Sequence, residues 1–179
     1  MAITKIQSES LNLSDNYDFT GTVTGAGGVN TPYFSAYLTS NQSGLNDDAI
    51  TKINLDGEYA DSNNAFDNSS NYRFTVPSGE GGEYFLYAKF NGSTQADQDN
   101  KDTQVYIYKN GSSIARGRGL NTDSSSDVTQ IEANASIITT LAAGDYIEMY
   151  GSINSSSNAG NNVAISNEFT VLHGFKIIE

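Results

Sequence analysis

The sequence predicts an all-β protein, an antiparallel β-sandwich of about ten strands with an extended N-terminal arm. Short runs rich in Tyr, Phe, Val and Ile alternate apolar with polar residues, which is the period of a strand with two different faces. Clusters of Asn, Ser, Asp and Gly separate these runs at spacings typical of sandwiches. No stretch has the period of an amphipathic helix. These three observations favour two packed sheets.

The clearest strands lie in residues 66–90. Residues 72–76 are aromatic and β-branched and predict one strand, and the Pro and Gly of residues 77–82 interrupt it. Alternation then resumes at Tyr84. Every second residue from Tyr84 to Phe90 should face one way, while Phe85, Tyr87 and Lys89 face the other.

Other runs predict the remaining strands. Asn110-Gly111 is the strongest hairpin signal in the chain. Ile137 follows a predicted bulge within one long strand. The further predicted strands are residues 33–38, 50–55, 103–109, 128–141, 146–153 and 168–178.

Charge and composition exclude several function classes. The chain has 21 acidic and nine basic residues and a formal net charge of −12, which disfavours binding to nucleic acid or to an anionic membrane surface. It has no cysteine, so neither disulfides nor thiolate metal sites are available. No apolar run is long enough to predict a signal peptide or a membrane-inserted segment. We therefore expect assembly in a cytoplasm.

The first 30 residues differ from the rest. Their apolar residues are spaced too irregularly for a helix, and a Gly-rich linker ends the segment. We predict a docking arm in residues 1–30 and a head in residues 31–179; a frayed terminus is the alternative. The candidate docking residues are Ile3, Ile6, Leu11, Leu13, Tyr17 and Phe19.

The residues give little support for an enzyme. The only histidine, His173, lies inside a predicted strand, where a residue at an interface or core edge is the simpler interpretation. A glycosidase pair of carboxylates stays open, since sequence gives no separations between acids. No cofactor is predicted.

An acidic loop suggests a weak calcium hypothesis. Asp97, Asp99 and Asp102 could supply oxygen ligands, although the loop lacks the Gly and Glu of an EF-hand. A loop that simply faces water is the alternative. Arg116 and Arg118, the only basic cluster, could pair with carboxylates across a subunit boundary or cap a turn.

Tyrosines on neighbouring strands could form an amphipathic contact surface. Tyrosine suits interfaces because its ring buries area while its hydroxyl keeps a hydrogen-bond partner. The alternative is that half of them belong to the core. The candidate interface residues are Tyr84, Tyr87, Tyr106, Tyr108, Tyr146 and Tyr150, with His173.

Four motifs resemble one family. The first motif consists of Phe66-Asp67, a polar turn, aromatic-Thr-x-Pro, a Gly turn and Tyr84-Phe85. The other three are Asn110-Gly111, LAAGDYI at residues 141–147 and LHGFKI at residues 172–177. This order resembles the globular head of complement C1q, a tumour-necrosis-factor-like jelly roll. The resemblance implies a jelly-roll head, assembly as a homotrimer in which the tyrosine-bearing sheet packs around a threefold axis, and in some members calcium near the trimer apex.

The arm has a resemblance of its own. Residues 15–25, DNYDFTGTVTG, are similar to a run in the N-terminal arms of short structural proteins of tailed bacteriophages. This implies a virion protein, with the arm docked on other virion proteins and the head at the virion surface.

Together the two resemblances imply a tail or head fibre tip that attaches to a host-surface glycan or protein. Loops far from the arm would bind the receptor, since their Asn, Ser and Asp side chains suit polyhydroxyl ligands. A capsid decoration protein is the main alternative, and a polysaccharide depolymerase a third. The candidate receptor-binding residues are Asn91, Asp97, Asp99, Asp102, Asn121, Asp123, Asn154 and Asn158.

Overall fold

The computed structural model describes residues 30–94, 99–123, 128–156 and 163–177. These residues form twelve strands and no helix, so none of them belongs to a helix that could cross a membrane. The strands are β1 (Tyr33–Tyr37), β2 (Gln42–Leu45), β3 (Thr51–Lys52), β4 (Gly57–Asp61), β5 (Phe66–Asp67), β6 (Arg73–Thr75), β7 (Gly82–Ser93), β8 (Asn100–Lys109), β9 (Ser112–Leu120), β10 (Gln130–Leu141), β11 (Tyr146–Ser155) and β12 (Val163–Lys176).

Two six-stranded sheets pack face to face. Sheet I has the order β10-β7-β12-β1-β4, with β2 also paired to β12. Sheet II has the order β5-β6-β11-β8-β9, with β3 also paired to β11. Every pairing is antiparallel. The predicted all-β sandwich is confirmed, and β3 and β5, of two residues each, account for the excess over about ten strands.

The core lies between the sheets and is rich in aromatic rings. Along β7 the residues Tyr84, Leu86, Ala88 and Phe90 are fully buried, as the predicted alternation requires. The ring of Phe34 in sheet I stacks on Phe74 in sheet II with centroids 4.3 Å apart. Burial of such side chains stabilises the fold by about 1.5–3 kcal/mol each.

Of the predicted strand at residues 50–55, only Thr51–Lys52 is a strand, and two further local predictions are wrong. Tyr72 precedes β6 and has a positive φ of 47°, so it does not begin a strand. The cause is Asp67, whose carboxylate accepts hydrogen bonds from the main-chain N–H groups of residues 69, 70 and 71 and holds them in a turn. The bulge before Ile137 is also absent, because β10 pairs with β7 residue for residue from Gln130 to Leu141.

The hairpin signal is confirmed. Asn110 and Gly111 join β8 to β9 with φ of 50° and 79°, the left-handed conformation that a two-residue turn of this kind needs. The Asn110 side chain donates to Asp145 (2.7 Å) and accepts from the main-chain N–H of Tyr146 (2.9 Å), which ties the hairpin to the start of β11.

The two ends of the sandwich are different. β1 begins at Tyr33, which pairs with Phe175 near the end of β12, so the predicted arm would join the head at that end. The strand ends that border the β7–β8, β9–β10 and β11–β12 connections lie at the opposite end, where Ser93 pairs with Gln130 and Asn100 pairs with Ser155. Residues 1–29 lie outside the described residues, so the arm and its contacts stay predictions.

Candidate functional site

The structure divides the seven candidate interface residues among three environments. Tyr84 belongs to the core: its side chain is fully buried within the chain, and its hydroxyl donates to the main-chain oxygen of Glu80 at 2.6 Å. Burial and the nearby Glu80 raise the pKa of Tyr84 to about 12. Its place in the candidate interface was therefore wrong, because its strand neighbours on the same face are core residues.

Tyr87 and His173 lie on the outer face of sheet I. They are cross-strand partners, and their rings stack with centroids 6.1 Å apart. Phe85 and Phe175 are the next pair along the same strands, with centroids 5.3 Å apart. Burial lowers the pKa of His173, so the neutral imidazole is favoured on this face.

Further aromatic side chains extend this surface across sheet I. Tyr37 and Tyr59 stack at 4.1 Å, and the ammonium of Lys89 lies 5.0 Å from the ring centre of Phe169. Ile138 adds an exposed aliphatic side chain beside Phe85. We call this surface the aromatic face: Tyr33, Tyr37, Tyr59, Phe85, Tyr87, Ile138, Phe169, His173 and Phe175.

The other four candidate tyrosines lie on the opposite side of the sandwich, on the outer face of sheet II. Tyr108 packs on Tyr150 with centroids 4.2 Å apart, and Tyr106 meets Tyr108 edge-on at 6.3 Å. The guanidinium of Arg73 lies 4.3 Å from the ring centre of Tyr146. One contact surface therefore cannot contain all the candidates.

This second surface differs from the aromatic face because ion pairs lie among its tyrosines. Lys52 pairs with Glu148, and Arg118 donates to both carboxylate oxygens of Asp102 at 2.9 and 2.8 Å. Arg118 therefore pairs within its own chain, along neighbouring strands, and neither a subunit boundary nor a turn cap explains it. Arg116 lies exposed on the same strand.

The described edges of the predicted receptor-binding segments lie at the end of the sandwich opposite the start of β1. Main-chain hydrogen bonds join these edges. The N–H of Ser156 donates to the main-chain oxygen of Asp99 (2.8 Å), and the N–H of Asn121 donates to the main-chain oxygen of Lys101 (3.0 Å). Asp97 and Asn158 lie outside the described residues. Receptor binding by these segments stays a prediction.

Several of these candidates are not loop residues. Asn91, Asp102 and Asn154 lie in strands β7, β8 and β11, because these strands run further than their polar composition suggested. Asp102 lies within β8, where it is buried and paired with Arg118, so its assignment to a loop was wrong. Asp123 follows β9 and is exposed.

Two of the three candidate calcium ligands form ion pairs. Asp102 pairs with Arg118 and Asp99 pairs with Lys101 at 2.9 Å, so both carboxylates already face cations. Within the ranges described, no three His, Cys, Asp or Glu side chains are grouped as a metal site would require. Calcium would have to displace both ion pairs.

A polar cleft that no sequence pattern predicted opens at the side of the sandwich. It has a volume of about 250 Å³ and lies where β1 ends, beside the β3–β4 connection and the residue before β6. Asn, Gln and Asp residues far apart in sequence meet here, and no local pattern marks them as a group. Its lining includes Leu38, Asn41, Gln42, Asn54, Asp56 and Tyr72.

Comparison with known proteins identifies the fold. No protein-family model and no curated protein matches the sequence. Among solved structures, the globular domain of a zebrafish complement 1qA protein matches with a TM-score of 0.54 at 14% identity, over 83% of this chain and 99% of that one. Murine APRIL at pH 5.0 matches with a TM-score of 0.56 at 12% identity, over 82% and 98%.

A third match is the Eiger tumour necrosis factor of S. frugiperda, with a TM-score of 0.55 at 11% identity, over 83% of this chain and 95% of that one. At these identities the likeness concerns the fold and not the activity. The expected fold is confirmed: the chain has the jelly roll of complement C1q heads and tumour necrosis factors.

Proposed function

We propose that this chain forms a homotrimeric attachment head on the surface of a tailed bacteriophage, anchored through its N-terminal arm. The aromatic face of sheet I is the observation that carries the proposal. Monomeric proteins seldom expose a contiguous apolar surface of this kind unless it meets a partner. We assign the contact to further copies of the same chain.

Charge supports this choice of partner. Copies that each carry a formal charge of −12 repel one another, so a shared contact must keep unpaired acids away from its centre. On the aromatic face Lys89 is paired with Glu132 at 2.8 Å, and at one end Lys176 is paired with Glu80 at 3.2 Å. Aromatic rings fill the area between these pairs. Such a surface suits a like-charged partner.

The direction of the chain supports attachment. The arm would leave the head where β1 begins, and the strand ends that border the three loop regions lie at the opposite end of the sandwich. A head held by its arm on other virion proteins would present those loops outward, towards a host-surface glycan or protein. The deficit of basic residues gives no support to nucleic acid as a partner.

Cryo-electron microscopy of the particle that carries this chain tests the assignment. Threefold heads at the tips of fibres, with the loops pointing outward, are the expected result. Heads seated over capsomers on the shell would instead make capsid decoration the function. Release of reducing ends from a host polysaccharide by the purified protein would replace binding with depolymerisation.

A further inference from the structure

The side cleft, defined by Leu38, Asn41, Gln42, Asn54, Asp56 and Tyr72, has the makings of a small polar binding site. Its volume of about 250 Å³ is below the roughly 300–1,000 Å³ of pockets that enclose drug-sized ligands. The cleft is therefore large enough for one small ligand or one ring of a larger ligand. Leu38 directly follows β1, at the opposite end of that strand from the junction with the arm, so the cleft belongs to the half of the head that would point outward.

The polar groups of the cleft are held in place before any ligand binds. The carboxylate of Asp56 accepts one hydrogen bond from the N–H of Thr39 (2.8 Å) and another from its hydroxyl (2.6 Å). The side chain of Gln42 bridges the main chain, donating to Lys52 (2.9 Å) and accepting from Asn54 (2.9 Å). Groups fixed in this way lose little conformational entropy on binding.

Asn41 is fixed as well. Its side-chain oxygen accepts a hydrogen bond from the N–H of Asn167 at 2.8 Å. With its oxygen engaged, the amide keeps its nitrogen as a hydrogen-bond donor. The cleft thus offers a carboxylate acceptor beside side-chain amides, the combination that vicinal hydroxyl groups can satisfy.

Tyr72 supplies the aromatic wall, and its backbone is strained. A bulky residue with a φ of 47° is an outlier, and such strain persists only where the surroundings enforce it. The enforcement comes from Asp67, which holds residues 69–71, and from Lys52, whose ammonium donates to the main-chain oxygen of Asn71. The ring is thereby kept at the cleft.

We propose that the side cleft binds one neutral sugar ring, with Tyr72 stacked on its C–H face and Asp56, Gln42 and Asn41 hydrogen-bonded to its hydroxyl groups. The fixed carboxylate and the net charge of −12 disfavour acidic sugars. Burial tends to raise the pKa of Asp56, but the hydrogen bonds from Thr39 outweigh it and lower the pKa, so the carboxylate stays ionised. In naming a host-surface glycan as the source of the sugar, the inference rests on the proposed function.

The test is a titration of the full-length ¹⁵N-labelled protein followed by nuclear magnetic resonance. The probes are the methyl glycosides of glucose, galactose, mannose and N-acetylglucosamine, with glucuronic acid and N-acetylneuraminic acid as acidic comparisons. We expect saturable shifts of the side-chain amide signals of Asn41, Gln42 and Asn54 with at least one neutral sugar. No saturable shift with any neutral sugar, or stronger binding of an acidic one, would overturn the proposal.

Two variants locate the site. Tyr72→Gly removes the ring while glycine accepts the left-handed backbone, so folding should be retained and affinity should fall at least tenfold. Asp56→Asn should weaken binding in the same way. Tyr108→Ala, which removes a tyrosine from the outer face of sheet II, is the matched control and should bind as the parent chain does. Unchanged affinity in Tyr72→Gly places the sugar elsewhere and overturns the assignment.

Adhesion to host cells separates this inference from the proposed function. Sugar binding without adhesion would leave the cleft assignment intact and contradict the attachment role. Adhesion that Tyr72→Gly does not reduce, together with no sugar binding, would leave the attachment role intact and overturn the cleft assignment.

Discussion

The most informative single substitution is Ile138→Asp on the aromatic face. The Ile138 side chain keeps 61% of its surface exposed in the single chain, and it lies beside Phe85 on β10, the edge strand of sheet I. In the proposed homotrimer a neighbouring copy covers this side chain. The substitution should therefore have little effect on the single chain and a large effect on assembly.

The magnitude follows from the exposed fraction. Burying a whole Ile side chain stabilises by about 1.5–3 kcal/mol, so covering the exposed part contributes about 1–2 kcal/mol per chain. Three chains lose about 3–6 kcal/mol per trimer, which weakens the trimer at least ~100-fold before the cost of burying a carboxylate is added. In the isolated chain a surface substitution changes the free energy of unfolding by only about 0.5 kcal/mol.

Sedimentation velocity over a range of protein concentrations measures the effect. Ile50→Asp is the matched control, because Ile50 is 52% exposed and lies between β2 and β3, away from the aromatic face. We expect Ile138→Asp to sediment as a monomer and Ile50→Asp to behave as the parent chain. Equal behaviour of the two variants would refute the assignment of the contact to this face.

Four further substitutions test the fold and the pH dependence. Gly117→Ala should lower the free energy of unfolding by several kcal/mol in a urea titration, because its methyl group would lie 1.7 Å from a main-chain oxygen of β10. Phe74→Asp should prevent folding, whereas Tyr72→Asp should still give a cooperative melt, because only Phe74 is buried in the core. Burial lowers the pKa of His173, so the stability gained from its neutral form is complete above about pH 6.5 and is lost as the pH falls through the folded pKa. His173→Gln should flatten thermal stability between about pH 7 and pH 5.

Gly117→Ala has a matched control, and a contradicting result is defined for each further prediction. Gly81→Ala places its methyl group at 3.4 Å from the nearest main-chain oxygen and should change stability little. A Gly117→Ala variant as stable as Gly81→Ala would contradict the close approach of β9 to β10. Loss of folding in Tyr72→Asp would contradict the position of Tyr72 outside the core and would support the predicted strand at residues 72–76. Identical pH profiles of His173→Gln and the parent chain would assign the acid sensitivity to carboxylates.

Local patterns predicted those parts of the fold that local physics decides. The alternation of buried and partly exposed residues along β7 follows directly from the order of apolar and polar side chains. Asn110-Gly111 adopts the left-handed turn that these two residues favour. Tyr72 was misjudged because its aromatic neighbours suggested a strand. The turn depends on hydrogen bonds from three successive main-chain N–H groups to the Asp67 carboxylate. The strand propensities of the individual residues do not include these hydrogen bonds.

The candidate surfaces depend on pairing that sequence does not show. Tyr87 lies on β7 in sheet I, whereas Tyr106 and Tyr150 lie on β8 and β11 in sheet II, so strands that are neighbours in sequence carry tyrosines to opposite sides of the sandwich. The side cleft joins residues from three separate segments, 38–42, 54–56 and Tyr72. Only the folded chain brings Asn41, Asp56 and Tyr72 together.

The mass of the purified protein in solution tests the central claim most directly. Native mass spectrometry should give a species of three chains of 19.2 kDa each, which Ile138→Asp converts to single chains. A single-chain mass for the parent protein at micromolar concentration would contradict the account, since the aromatic face would then be exposed to water without a partner.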